Sequence, residues 1–165
     1  MSNAAQRRKP KACLTLNELT IGQQASLTFT LTRELIDSFG AVSGDYNPLH
    51  FDEAYASTTI FKECIGHGTI LQAKVSQLLG LDLPGLGALW GRQQATFKGP
   101  IRIGHTYTVT VEIASKNERF AVYHCRAADS DGTLVMEGDG DIFPVPAKVK
   151  AKLEETGMLA RLLEG

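Results

Sequence analysis

The chain has 165 residues, enough for one domain with a sizeable buried core. With 43% hydrophobic residues, 21% charged residues and a formal net charge of -1, its composition excludes a disordered chain and a global field for nucleic acid or an anionic membrane. No stretch approaches ~18 consecutive apolar residues, so no membrane-spanning helix is expected. Cys13, Cys64 and Cys125 are an odd number of cysteines without CxxC spacing. That argues against a disulfide framework and a zinc site, and it suits a reducing cytoplasm.

Residues 1–13 read as a flexible tail carrying the basic run Arg7-Arg8-Lys9-Pro10-Lys11. Residues 14–146 read as one domain, and residues 147–165 as a C-terminal helix or linker tail. The first strand is expected over 25–32, where Ala25, Leu27, Phe29 and Leu31 alternate with Ser26, Thr28, Thr30 and Thr32. The period then lengthens: Leu35, Ile36, Phe39 and Val42 recur at helical spacing, with Thr32 as N-cap and Glu34 in the first turn. Gly40 and Gly44 loosen the chain into a loop. A short helix follows over 52–57, capped by Asp52.

After Gly68 a longer helix is expected, because Ile70, Leu71, Ala73, Val75, Leu78 and Leu79 leave few polar interruptions before Gly80. A helix apolar on most sides needs wrapping by something else. Leu83-Pro84-Gly85-Leu86-Gly87 breaks the chain, and strands follow over 88–98, 106–115, 119–129 and 133–143. Ser130-Asp131-Gly132 joins the last two as a hairpin. The order strand, helices, then antiparallel strands implies an α+β domain, a curved sheet around one central apolar helix. Residues 148–163 form an amphipathic pattern interrupted by Gly157, which suits either a docked helix or a linker.

The segment Ser43-Gly44-Asp45-Tyr46-Asn47-Pro48-Leu49-His50 concentrates the chemistry. Pro48 fixes its own φ and restricts Asn47, so the loop is stiff, with a carboxylate at one end and an imidazole at the other. Such a loop can aim Asp45 and His50 at one small object such as a water molecule. Singly, Asp45 also suits a turn or cap, and His50 a hydrogen-bonded loop histidine. Gly66-His67-Gly68-Thr69 then precedes the apolar helix. The first N–H groups of a helix lack internal partners, and Gly68 presents no side chain, so a ligand oxygen can approach its N–H. A turn that needs glycines for geometry alone is the other reading of that run. His50, His67, His105 and His124 show no close metal-ligand spacing, and no metal is expected. Cys64 reads as a buried structural thiol, Trp90 as a core or interface residue, and Tyr46 as either an acyl-pocket wall or a loop anchor.

The run Phe39-x-x-Val42-Ser43-Gly44-Asp45-x-Asn47-Pro48-Leu49-His50-x5-Ala56 resembles the hydratase-2 signature of the MaoC-like family, whose best-known members are (R)-specific enoyl-CoA hydratases. The similarity continues through Ile65-Gly66-His67-Gly68, residues 78–87 and Phe97-Lys98-x-Pro100 to about Pro144. The resemblance implies a hot-dog fold, with a curved antiparallel sheet wrapped around a long central helix. It also implies a homodimer or dimer of dimers, an acyl-CoA substrate and no bound cofactor. Asp45 and His50 would hold the catalytic water, with Asn47 supporting them and Gly68 N–H binding the thioester oxygen. Ser76, Tyr46 and His67 would lie on the substrate side. The implied reaction is reversible syn addition of water to a trans-2-enoyl-CoA, giving a (3R)-3-hydroxyacyl-CoA. A hot-dog acyl-CoA thioesterase and a non-catalytic acyl-CoA-binding subunit are the alternatives. Thr69, where a hydrophobic residue is common, and the polar Arg92-Gln93-Gln94 depart from the family pattern.

Overall fold

A computed structural model describes residues 8–164. In chain order the elements are β1 (Gln24–Thr30), α1 (Arg33–Ser43), α2 (Pro48–Phe51), α3 (Glu53–Thr58), α4 (Thr69–Leu81), β2 (Leu89–Phe97), β3 (Thr106–Lys116), β4 (Ala121–Asp129), β5 (Leu134–Phe143), α5 (Ala147–Glu155) and α6 (Met158–Glu164). The strands form one antiparallel sheet in the order β1-β3-β4-β5-β2. β1 and β2 are therefore opposite edges. The chain between them has to cross the sheet, and this crossing carries α4 over the face lined by the apolar alternation of β3 and β4.

On β3, Tyr107, Val109, Val111 and Ile113 are buried, and β4 adds Ala121, Tyr123, Cys125 and Ala127. From α4, Ile70, Leu71, Val75, Leu78 and Leu79 enter the same core. Each such aliphatic side chain stabilises the fold by roughly 1.5–3 kcal/mol relative to leaving it in water. The architecture is the expected α+β hot-dog fold. The helix is not wrapped on every side, however, because Thr69, Ala73 and Ser76 remain exposed along one stripe.

Local signals explain most boundaries. Thr32 accepts Leu35 N–H at 3.2 Å to start α1, and Gly44, at φ 74°, ends it in the left-handed conformation that favours glycine. Asp52 accepts Tyr55 N–H at 3.0 Å to start α3. Asp129 accepts the N–H groups of Asp131 and Thr133, closing the β4–β5 hairpin. The polar run on β2 also has its reason. Arg92 reaches Asp139 at 2.6 Å and Asp141 at 3.0 Å on β5, on the face away from the core. Gln93 and Trp90 both hydrogen-bond the buried Tyr123 hydroxyl.

Three expectations change. Pro48–Phe51 is a one-turn helix rather than loop, started by Asn47 as N-cap and Pro48 in its first turn. The C-terminal segment is two helices, α5 and α6, because Gly157 sits at φ 66° between them. Of the expected tail, residues 1–7 lie outside the described residues, whereas residues 8–13 are docked. Lys11 N–H donates to Leu81 O at 2.6 Å, Arg8 pairs with Asp82 at 2.8 Å, and Cys13 is buried against Gly85.

α5 is tied to the domain by Lys150, whose ammonium donates to Glu18 at 2.6 Å. That ammonium, with the N–H and hydroxyl of Thr15, holds the Glu18 carboxyl down from 4.5 to about 2. The folded state therefore binds this proton less readily than the unfolded chain. The resulting stability is complete above about pH 4.5 and is lost as pH falls towards 2. In urea titrations, Glu18→Gln should lower the midpoint near neutral pH, with the gap to the parent closing as pH falls towards about 2.5. A gap that does not change with pH would exclude this role.

Candidate active site

Asp45, His50 and His67 meet at the mouth of a cavity of about 540 Å³, lined also by Phe61, Ile65, Gly68, Phe97 and Ile101. Each arrives from a different local device. Asp45 follows the left-handed turn at Gly44, and its Oδ1 accepts Asn47 N–H at 3.1 Å, which fixes the carboxylate. His50 rides on α2, held at its start by Asn47 Oδ1 accepting Leu49 N–H at 3.0 Å. His67 immediately precedes the cap residue of α4.

The His50 imidazole is nearly buried, and its Nδ1 lies 2.8 Å from the Ile65 carbonyl. A carbonyl can only accept, so Nδ1 carries the proton and Nε2 presents a lone pair. That Nε2 is 4.0 Å from Asp45 Oδ2. His67, only 2% exposed, sends Nε2–H to the Asp45 carbonyl oxygen at 2.9 Å, while its buried Nδ1 has no partner among the described residues. The two imidazoles overlap, with centroids 3.8 Å apart and planes at 30°. Asp45 itself is half-exposed, so solvent and substrate can reach it.

These three residues bring ligand-type atoms within 4.8 Å of one another, which the sequence spacing did not indicate. The fit to a metal ion is poor. Imidazole lone pairs lie in the ring plane, and two rings stacked at 30° cannot both aim at one ion. His67 Nε2 is also committed to the Asp45 carbonyl.

Gly68 lines the same cavity, and its N–H donates to no group among the described residues. Its φ is ordinary, but an added Cβ would lie 2.9 Å from Cε1 of Phe97, so a larger residue would have to displace that ring. The arrangement thus provides a carboxylate, an imidazole base with a defined tautomer, and a free N–H donor at a helix start.

The other expected residues are placed differently. Asn47 acts as the cap of α2. Tyr46 is exposed and packs on Phe51 at 5.3 Å between ring centroids, outside the cavity lining. Ser76 lies on the open face of α4, about two turns or ~10 Å beyond Thr69, and does not line this cavity. Burial pushes the Cys64 thiol up, which makes it less reactive. Sequence reasoning missed Phe97 as the wall over Gly68, the Ile65 carbonyl as the anchor of His50, and Arg33, which donates to the His50 carbonyl at 2.6 Å. Only Phe97 had a signal, its place in the Phe97-Lys98-x-Pro100 run.

A second concavity, of about 490 Å³, lies across the sheet's other face among Glu112, His124, Arg126 and Asp139.

The antiparallel hot-dog sheet thus carries a paired Asp/His loop and a bare helix start on one cavity. Residues 17–132 match the family described as MaoC like domain, and the chain belongs to that family. An (R)-specific enoyl-CoA hydratase from Rhodospirillum rubrum is 40% identical over 131 residues, covering 77% of this chain and 88% of that protein. The structure titled (R)-hydratase from A. caviae involved in PHA biosynthesis has a TM-score of 0.74 at 35% identity, covering 77% of this chain and 98% of its own. An unliganded R-hydratase from Pseudomonas aeruginosa has a TM-score of 0.75 at 34% identity, covering 79% of this chain and 84% of its own.

The burial difference separates two variants. His67→Ala should cost about 1–3 kcal/mol in urea unfolding, because it removes a buried hydrogen-bonded ring. Asp45→Asn keeps the turn acceptor at a half-exposed position and should stay within about 0.5 kcal/mol of the parent. Equal losses would mean that Asp45 is a structural residue.

Proposed function

We propose that this protein is an (R)-specific 2-enoyl-CoA hydratase that adds water reversibly to trans-2-enoyl-CoA. The observation that carries this reading is the 4.0 Å gap between His50 Nε2 and Asp45 Oδ2, two acceptors on one side of a cavity that also presents Gly68 N–H. A water hydrogen-bonded at ~2.8 Å to both acceptors would subtend an angle of roughly 90°, close to its own bond angle. The gap is therefore the width of one water molecule that donates to both groups.

In the hydration direction the oxygen of that water attacks C3 of the enoyl chain. One of its protons passes to the Asp45/His50 pair as the bond forms. The electrons move onto the thioester oxygen, where Gly68 N–H stabilises the enolate. The pair then returns a proton to C2 on the same face, which closes the proton balance without a metal or organic cofactor. Asn47 supports the pair by capping α2. His67 supports Asp45 by donating to its carbonyl, and Ser76 and Tyr46 are assigned to the more distant parts of the acyl-CoA.

The partner of the chain is a second copy of itself. β2 is an edge strand, and its Leu89, Trp90 and Phe97 are 70%, 38% and 46% exposed. An unpaired edge with apolar side chains invites pairing. The open stripe of α4 would be covered in the same way. Three free, buried cysteines favour work in the cytoplasm.

The direct test follows crotonyl-CoA by loss of enone absorbance, with free thiol measured in parallel and product chirality read by an (R)-specific dehydrogenase. Enone loss without free thiol is expected, and free CoA instead would make the protein a thioesterase. Asp45→Asn and His50→Ala, both folded, should each lower kcat by ~10²–10⁴-fold. Unchanged turnover in either variant would remove that residue from the mechanism. Light scattering should give a dimer mass, and a monomer at assay concentration would exclude the edge pairing.

A further inference from the structure

α2 is only one turn long, and a single turn does not stabilise itself, because fixing its residues costs more than its one or two hydrogen bonds return. Its hold on His50 depends on what ties its last carbonyls. Pro48 O accepts Asp52 N–H at 2.9 Å, and Leu49 O accepts Ile65 N–H at 3.3 Å. His50 O accepts from Arg33 Nη1 at 2.6 Å, a charged donor on a carbonyl that the helix itself leaves without a partner. The other guanidinium nitrogen, Nη2, lies 3.3 Å from Glu53 Oε1. Glu53 Oε2 in turn accepts Cys64 N–H at 3.3 Å.

Cys64 precedes Ile65, whose carbonyl holds His50 Nδ1. One guanidinium thus ties both supports of the imidazole: its own main chain directly, and, through Glu53, the segment that anchors its ring. We propose that Arg33 is a positioning residue for catalysis, which holds the His50 main chain in register with Ile65 so that Nε2 points at Asp45. This rests on the hydratase reading and deepens it. The two acceptors need two nitrogens of one planar fork, which arginine has and lysine lacks. Among the described residues Arg33 hydrogen-bonds neither Asp45 nor any residue lining the cavity except His50, so its effect passes through the histidine.

The test uses the full chain with Arg33→Ala, Arg33→Lys and Glu53→Gln. Misaiming a catalytic group lowers turnover more than binding, so Arg33→Ala should reduce kcat about tenfold with KM for crotonyl-CoA little changed. Arg33→Lys keeps one of the two contacts and should recover part of the loss. Added guanidinium should restore Arg33→Ala activity with saturation, while methylammonium at equal ionic strength should not. Glu53→Gln should have a smaller effect, and the double variant should fall short of the product of the single effects, since both act through one network.

An activity-independent reading comes from the NMR resonance of the His50 ring Cε1–H, assigned by its loss in His50→Ala. It should shift in Arg33→Ala and return with guanidinium. A moved resonance in a protein without hydratase turnover would leave the clamp standing and overturn the hydratase reading. Parent-like kcat and an unmoved resonance in Arg33→Ala would overturn the clamp, as would a loss confined to KM.

Discussion

The bond between His50 Nδ1 and the Ile65 carbonyl holds the site together. It decides the tautomer of the imidazole, and with it which nitrogen faces Asp45. The carbonyl is itself held from the sheet side. Ile65 bridges Arg102, and Gly66 N–H donates to Ile101 O at 2.7 Å, just ahead of β3. The imidazole is therefore referenced to the chain leading into β3, although it sits on a one-turn helix. A loop histidine without that bond would rotate and exchange tautomers, and the gap to Asp45 would have no fixed width.

The same segment supplies the other half of the site. Residues 64–68 run from the anchor of His50 through His67 to the bare N–H of Gly68, so the imidazole's anchor, the second histidine and the free donor belong to one short segment. Phe97, from the opposite edge of the sheet, closes over Gly68 and limits the space above its N–H. Asp45 is the exception. It lies on the solvent side and is joined to the rest through its carbonyl and its turn, an arrangement that leaves the carboxylate accessible without loosening it.

Much of this was readable from the chain. Alternation on β3, the caps Thr32 and Asp52, and the apolar pattern of α4 each follow from neighbours within a few positions, and local physics settles them. Asp45 and His50 were legible for the same reason, since Pro48 and the turn at Gly44 stiffen the short stretch between them. The break at Gly157 was visible as an interruption, although its consequence, two helices instead of one, depends on the positive φ adopted there. The docking of residues 8–13 was not legible, because the groups they meet, Leu81, Asp82 and Gly85, lie far along the sequence.

By itself the sequence determined the element order, the core faces and the Asp45/His50 pair of the candidate site, all of them encoded in short-range periodicity and stiff turns. Only the tertiary structure decided how those residues are aimed. It stacked His67 on His50, brought Arg33 to the His50 main-chain carbonyl and the Ile65 carbonyl to its ring, and laid Phe97 over Gly68. The physical reason is that hydrogen bonds and packing act across space. The strand order, with β1 and β2 at opposite edges, forces the intervening helices across the sheet and so chooses which distant residues become neighbours.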